Sequence, residues 1–359
     1  MFRGEIKIED VKAALSNGKA EKIKEEIEYI RFKKPYKKIE RGTVITKERI
    51  IWGYPHIPRI FNLDKGILRN IKTDIFYVEE KIDGYNLRIA QIEGKLYAFT
   101  RGGYVDPFAT EKVRGFKEIK KFLQDYPDFV LCCEMIGNTP FTEPTDNFDV
   151  RLFIFDIDDG KRYLPPLQKY DLIRKYGLDS VPFLGRFSKS DIRLLKKQAY
   201  YLNKSAKEGM VIKSADRLQV VKFVTPAADI QDIEKGAYTF FDLPDGFFMQ
   251  RLLRSAFFIK DFELNQEEYS SLIGKAFEKG LQKALKTVCS GGEVEEEYRI
   301  IVQDPKIFNT LLSHMGKEVS VKLLSTKKDG DVFEIRFVKL YKKTTKMLRD
   351  FIEGKGQID

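Results

Sequence analysis

The sequence predicts an α+β protein built on mainly antiparallel sheet, and three observations carry that prediction. From about Ile75 the chain breaks into short apolar runs with turn residues between them, at 75–78, 87–92, 96–100, 129–135, 151–157, 209–212 and 218–223. Runs of this length, rich in β-branched and aromatic residues, read as strands. Only two stretches between them, 116–123 and 188–203, have helical spacing. A doubly wound parallel sheet needs a crossover helix between successive strands, so that architecture is set aside. Third, 359 residues with 43% hydrophobic and 33% charged content provide ample core and room for two or three domains.

Ahead of the strand-rich region, residues 9–30 read as a helix, followed by the basic stretch Arg31-Phe32-Lys33-Lys34-Pro35-Tyr36-Lys37-Lys38. Residues 52–59 hold two prolines and a glycine and read as a loop, with His56 and Arg59 as loop residues. After Thr225-Pro226 the pattern turns helical, over 247–262 and 267–286, and stops at Ser290-Gly291-Gly292. The first of these helices is apolar around much of its girth, through Phe247, Phe248, Leu252, Leu253, Phe257 and Phe258. Such a helix is expected either inside a core or at a subunit interface. Residues 295–302 and 319–340 read as a small strand-rich unit with a turn at Lys328-Asp329-Gly330, closed by a helix near 345–353.

A formal charge of +10 favours an anionic partner, although mixed charge of this density also suits a solvated surface. The basic runs 31–41 and 339–346, with Tyr36 and Tyr341 interleaved, are candidates for binding nucleic-acid phosphates through Lys33, Lys34 and Lys37. No run approaches the roughly 20 apolar residues of a membrane span. The first residues, Met1-Phe2-Arg3-Gly4-Glu5-Ile6-Lys7, lack a signal-peptide core, so a cytoplasmic location is expected. Cys132, Cys133 and Cys289 have neither disulfide-framework nor metal-ligand spacing.

The chemistry-bearing residues follow one another along the strands. Glu79-Glu80-Lys81-Ile82-Asp83-Gly84 places a lysine at a strand end before a tight turn. A lysine becomes a nucleophile when it is desolvated or set beside positive charge. Downstream come Arg101-Gly102 after a strand, Glu134 in an otherwise apolar strand, and Phe155-Asp156. Then follow Glu208-Gly209-Met210-Val211-Ile212-Lys213, and Lys222 inside an apolar strand, where an unpaired cation would be costly. Singly, each has a structural reading, such as a strand-end ion pair, a core aromatic or a snorkelling lysine.

Together, in this order, they resemble the nucleotidyltransferase motifs of ATP-dependent DNA ligases, RNA ligases and mRNA capping enzymes. Lys81-Ile82-Asp83-Gly84 is similar to motif I, Arg101-Gly102 to motif Ia, Glu134 to motif III and Phe155-Asp156 to motif IIIa. Glu208 to Lys213 is similar to motif IV and Lys222 to motif V. Glu80 before the lysine and Asn86 five residues after it resemble RNA ligases, and no OB-fold motif follows Lys222. The layout resembles the archaeal homodimeric RNA ligases. One departure is the single lysine of motif V, for which Lys213 is the candidate second charge.

This resemblance implies an antiparallel two-sheet nucleotidyltransferase domain, of the ATP-grasp-like ligase type, at 63–235. An N-terminal domain at 1–62 precedes it; a helical dimerisation domain at 236–292 and a small C-terminal α/β domain at 293–359 follow. It implies ATP as AMP donor, Mg²⁺ (or Mn²⁺), a homodimer, and single-stranded RNA with 5′-phosphate and 3′-hydroxyl ends. Lys81 would form lysyl-AMP, pass AMP to the 5′-phosphate, and a 3′-hydroxyl would then displace it. Lys213 and Lys222 would stabilise the α-phosphate and activate Lys81. Glu79, Glu80, Asn86, Arg101, Glu134, Phe155 and Glu208 would hold ATP, with Phe155 stacked on adenine. Asp83, Glu134 and Glu208 are metal candidates, and Asn86 and Arg101 also suit RNA. Alternatives are a DNA ligase or other polynucleotide adenylyltransferase, a GTP-using capping enzyme, and an RNA-binding protein without activity.

Overall fold

The computed structural model describes residues 6–315 and 319–356. The outer ends of the expected terminal domains, 1–5 and 357–359, lie outside the described residues, as do 316–318.

Helix α1 (Ile8–Ser16) ends at Asn17, and Gly18 turns the chain with φ +62°. Four short antiparallel strands follow in meander order: β1 (Ala20–Lys24), β2 (Glu28–Phe32), β3 (Val44–Ile45) and β4 (Ile50–Ile51). The helix expected over 9–30 is therefore wrong beyond residue 16. A left-handed glycine ends a helix cheaply, and Ala20 and Phe32 then pack back on Ala14 as strand residues.

The central region opens with α2 (Leu63–Asn70), followed by β5 (Ile75–Lys81), β6 (Tyr85–Ile92) and β7 (Lys95–Thr100). Next come α3 (Pro107–Arg114), α4 (Lys117–Asp125), β8 (Val130–Gly137), β9 (Val150–Asp158) and α5 (Pro166–Tyr176). It closes with β10 (Phe183–Ser188), α6 (Ile192–Lys204), β11 (Gly209–Ser214) and β12 (Val220–Val224). The strands form two four-stranded antiparallel sheets, in the orders β7-β6-β8-β9 and β10-β5-β11-β12. The expected two-sheet antiparallel α+β fold is what the chain adopts. Strand β10 escaped the sequence reading because it is a half-exposed edge without inside–outside alternation.

Alternation along the strands positions the site. In one sheet Phe76, Val78, Met210, Ile212, Val221 and Phe223 face a core with α2 and α6. In the other, Leu87, Ile89, Leu131, Cys133, Met135 and Leu152 face a core with α3 and α4. Residues of opposite parity, Glu79, Lys81, Asn86, Glu134, Lys213 and Lys222, line one cleft between the sheets.

The rest of the chain comprises α7 (Pro226–Tyr238), α8 (Phe247–Asp261), α9 (Gln266–Cys289), β13 (Glu295–Val302), α10 (Lys306–Met315), β14 (Ser320–Asp329), β15 (Val332–Leu340) and α11 (Lys342–Ile352). Helix α7 runs across position 235 and packs on α8 and α9. The sheet β13-β15-β14 is antiparallel, with its hairpin turning at Gly330. Its Ile300 and Phe337, with Phe308 of α10, join the same core as β6 and β8. Helix α8 serves two environments. Phe258 is buried against Phe223 and Phe262, while Met249, Leu252, Leu253 and Phe257 are exposed. No helix among the described residues is long and apolar enough to cross a membrane.

Candidate active site

Lys81 ends β5, and β11 runs alongside with Gly209 directly opposite. Gly209 adopts φ +151°, and a Cβ there would lie 2.1 Å from the Phe223 carbonyl oxygen. Only glycine fits, and it lets Glu208 reach across so that Lys81 Nζ donates to Glu208 Oε2 at 2.5 Å. Gly84 plays the same part on the other sheet. A Cβ there would meet the Met135 carbonyl oxygen at 2.4 Å, so the turn after Lys81 presses directly on β8 beside Glu134.

Glu134 stands opposite Asn86 in the β6–β8 ladder. Burial pushes the Glu134 carboxyl up to about 7; Lys81 opposes this, while Glu208 and Asp83 add to it. Glu208 is raised for the same reason, burial, against the pull of Lys81. On the other side of the cleft Lys222 lies opposite Val211. Burial first, then Arg59, Lys81 and Arg101, lower it to about 8. This end of the cleft is thus short of compensating charge. The Asn86 Oδ1 is buried without a hydrogen-bond partner among the described residues.

The other end is a sealed ion network. Glu79 and Lys213 are each only 1% exposed. Lys213 Nζ donates to Glu79 Oε2 at 2.6 Å, to the Phe155 carbonyl at 2.6 Å and to Asp156 Oδ1 at 3.1 Å. Lys169 bonds the other oxygen of Glu79 and also reaches the Phe155 carbonyl at 3.0 Å. Arg217 and Tyr54 close the network on Asp156. Burial would raise Glu79, but Lys169 and Lys213 outweigh it and hold the carboxyl below its ordinary value. A β-bulge makes this arrangement possible. Cys132 pairs with Asp156 and Cys133 with Ile154, leaving Phe155 as the extra residue. Bulges re-aim side chains and release backbone groups from the ladder. Here the ring of Phe155 faces the cleft and its carbonyl receives two ammonium groups.

The structure brings Glu79, Glu80, Lys81, Asn86, Arg101, Glu134, Phe155, Lys213 and Lys222 into one cleft. Three of them differ from expectation in detail. Lys213 does not stand free, because all three of its donors are engaged. Glu79 lies under Lys169 and Lys213. The Glu80 carboxylate pairs with Lys207 at 3.1 Å. Glu208 and Asp83 line the adjoining pocket, not this one. Among the described residues no group of three or more His, Cys, Asp or Glu is arranged to hold a metal ion. Asp83, Glu134 and Glu208 are therefore not a preformed ligand set. Their oxygen chemistry still fits Mg²⁺, which is commonly held by one or two carboxylates together with substrate phosphates.

The basic runs lie elsewhere. Lys33 pairs with Glu21 and Lys37 with Asp10 on the N-terminal domain, and Lys34 is exposed there. None lines the cleft. The rings of Tyr36 and Tyr341 pack into local cores, and Lys339 sits over Tyr298 with its ammonium on the Pro140 carbonyl. These residues are built into the fold, which leaves little free stacking surface.

Lys169, Tyr54, Val181 and Arg217 were not anticipated. Lys169 was within reach of the sequence, since Pro166, Lys169 and Ile173 form the buried stripe of α5 at helical spacing. A lysine on an apolar stripe calls for a buried acid.

A lysine presented between two antiparallel sheets, with acids on one flank, a cation on the other and an aromatic ring at the far end, defines a covalent nucleotidyltransferase of the ligase type. Residues 74–224 match the RNA ligase family, and residues 236–355 match the C-terminal region of the ligase Pab1020. An uncharacterised protein of Methanocaldococcus jannaschii is 31% identical over 351 residues, covering 92% of this chain and 88% of that one. A solved structure from Aquifex aeolicus, provisionally described as an ATP-dependent DNA ligase, is 33% identical with a TM-score of 0.91. It covers 98% of this chain and 100% of its own. An archaeal ATP-dependent RNA ligase is 26% identical with a TM-score of 0.89, over 97% and 96%. The chain belongs to the archaeal ATP-dependent RNA ligase family.

Proposed function

We propose that Lys81 is the nucleophile through which this RNA ligase takes AMP from ATP and delivers it to a 5′-phosphate RNA end, which a 3′-hydroxyl then seals. The observation that carries the reading is the position of Lys81. Its amine lies where both sheets converge, beside Glu208 and Glu134, with Lys222 across the cleft and Phe155 at its apolar end.

The amine must lose its proton before it attacks. Glu208, in contact and raised by burial, is placed to accept that proton. The nitrogen then attacks the α-phosphorus, the bond to the β-phosphate oxygen breaks, and pyrophosphate leaves. Lys222, without an ion pair among the described residues, meets the charge that develops on the α-phosphate. Phe155 offers its face to adenine, stacking worth about 1–3 kcal/mol. Lys213 supports this surface by fixing the Phe155 carbonyl and is a positioning residue. Mg²⁺ or Mn²⁺, held by Glu134 with the phosphates, would share phosphate charge. Asn86 and Arg101 face the same space for ribose or RNA phosphate.

The exposed Met249, Leu252, Leu253 and Phe257 of α8, with Leu272 of α9, supply a surface for a homodimer. Sedimentation should show a dimer, and a concentration-independent monomer would reject it. DNA joining is the second reading, favoured by the description of the Aquifex relative. A 5′-phosphorylated single-stranded RNA with ATP and Mg²⁺ should give adenylylated and then joined or circular RNA. Preferential sealing of nicked DNA would overturn the RNA reading.

A further inference from the structure

Beside the Lys81–Glu208 pair lies a second pocket of about 330 Å³. One wall is the catalytic region, through Arg59, Asp83 and Glu208. The other is α7 and α8, through Asp232, Lys235 and Arg251. Lys81 lines the first cleft and Glu208 the second pocket, and the two side chains are in contact.

Arg59 is the unusual member. Its backbone is bridged to Lys222, Ile60 N donating to the Lys222 carbonyl and Lys222 N to the Pro58 carbonyl. The other arginines are satisfied: Arg251 by Asp232 and Arg254 by Asp229. Arg59 has no ion pair among the described residues, and its Nε is buried without a hydrogen-bond partner. Burial lowers its pKa, and Arg254 lowers it further against the opposing pull of Asp229 and Glu208. A guanidinium that lines a pocket with no ion pair of its own among the described residues has the chemistry of an anion site.

The charge of the pocket selects the anion. Arg59, Lys235, Arg251 and Arg254 are set against Asp83, Glu208 and Asp232, a near balance with a slight cationic excess. A polyphosphate would meet three carboxylates there. A singly charged phosphodiester would meet one free guanidinium, and the carboxylates would accept hydrogen bonds from ribose hydroxyls. We propose that this pocket binds the terminal nucleotide of the RNA strand whose 3′-hydroxyl closes the join, with Arg59 clamping its last phosphodiester. The strand would then approach Lys81 from the side opposite Phe155, across a wall formed by α7 and α8. The proposal rests on the RNA-ligase reading and assigns a strand to a face of the site.

The test isolates the last step. A pre-adenylylated RNA donor is mixed with a separate acceptor RNA bearing 5′- and 3′-hydroxyls, and single-turnover sealing is followed against acceptor concentration. Wild type, Arg59→Ala and Arg59→Lys are compared, with lysyl-AMP formation from ATP measured beside them. Arg59→Ala should raise the acceptor concentration for half-maximal rate about tenfold more than it slows lysyl-AMP formation. It should also flatten the dependence of log affinity on log salt by about 0.7, the share of one phosphate contact on a single strand. Arg59→Lys should recover part of both, which a folding defect would not. If lysyl-AMP formation falls as much as sealing, Arg59 serves ATP and the proposal is overturned; an unchanged acceptor response and salt slope overturns it too. Failure of the wild-type protein to seal the adenylylated donor would instead reject the RNA-ligase reading itself.

Discussion

Two charged clusters share one cleft and differ in almost every physical respect. Around Asp156 and Glu79, each carboxylate meets two cations at hydrogen-bond distance, and the group is sealed from water. Around Lys81, the carboxylates Glu208 and Glu134 lie near a single lysine, and Lys222 and Arg101 carry no ion pair among the described residues. Buried charge that is fully paired is inert and rigid, whereas half-buried charge that is under-compensated is poised for a charged ligand. In the proposed reading the first cluster is a floor and the second carries the chemistry. Lys213 and Lys222 look alike as motif lysines, yet they belong to different clusters.

Substitutions at these two lysines separate the clusters most strongly. Lys213→Met strips a cation from both Glu79 and Asp156, and breaking a buried pair in this way costs about 3–5 kcal/mol. Denaturant unfolding should show that loss, and a stability equal to wild type would dissolve the distinction. Lys222→Met removes a cation that burial and neighbouring cations already disfavour, so it should leave stability unchanged or raise it. It should slow lysyl-AMP formation by about 10²-fold, the effect of removing one preorganised donor. Equal losses of stability in the two variants would argue against two clusters.

The Lys81 cluster should also reveal itself through pH. Glu134 becomes a carboxylate only as pH rises through about 7, so an activity that needs its charge climbs there. Lys222 loses its charge as pH rises through about 8, so the rate falls above that point. Glu134→Gln should abolish the acid limb and Lys222→Arg should move the alkaline limb upward; rates of lysyl-AMP formation against pH measure both. The smallest effect is expected at the apolar end. Phe155→Leu should weaken ATP binding by about 1–3 kcal/mol, read as a higher KM for ATP with little change in kcat.

Much of this was legible in the sequence. Strands β5, β11 and β12 were readable as the short apolar runs 75–78, 209–212 and 218–223, whose Phe76, Val78, Met210, Ile212, Val221 and Phe223 share one core. The common cleft of Lys81, Lys213 and Lys222 came from the structure, where strand parity turns all three the same way. The sequence could not show that Lys213 is consumed by Glu79 and Asp156, because those contacts depend on a bulge at Phe155 and on Lys169 and Arg217 from distant segments. The N-terminal helix failed at Gly18, where a turn residue was read through because charged residues on both sides kept a helical rhythm. Edge strand β10 and helix α3 carry no clear period of their own. Their structure comes from tertiary contact, in α3 helped by the Asp106 cap on Ala109 N.

The central claim is that Lys81, and none of the other lysines in the cleft, takes up AMP. Incubation with α-labelled ATP and Mg²⁺, followed by proteolysis and peptide mapping under conditions that keep the phosphoramidate, tests it directly. The label should map to the peptide containing Lys81 and should vanish in Lys81→Ala with folding intact. Label on Lys213 or Lys222, or an adduct that survives in Lys81→Ala, would contradict the account.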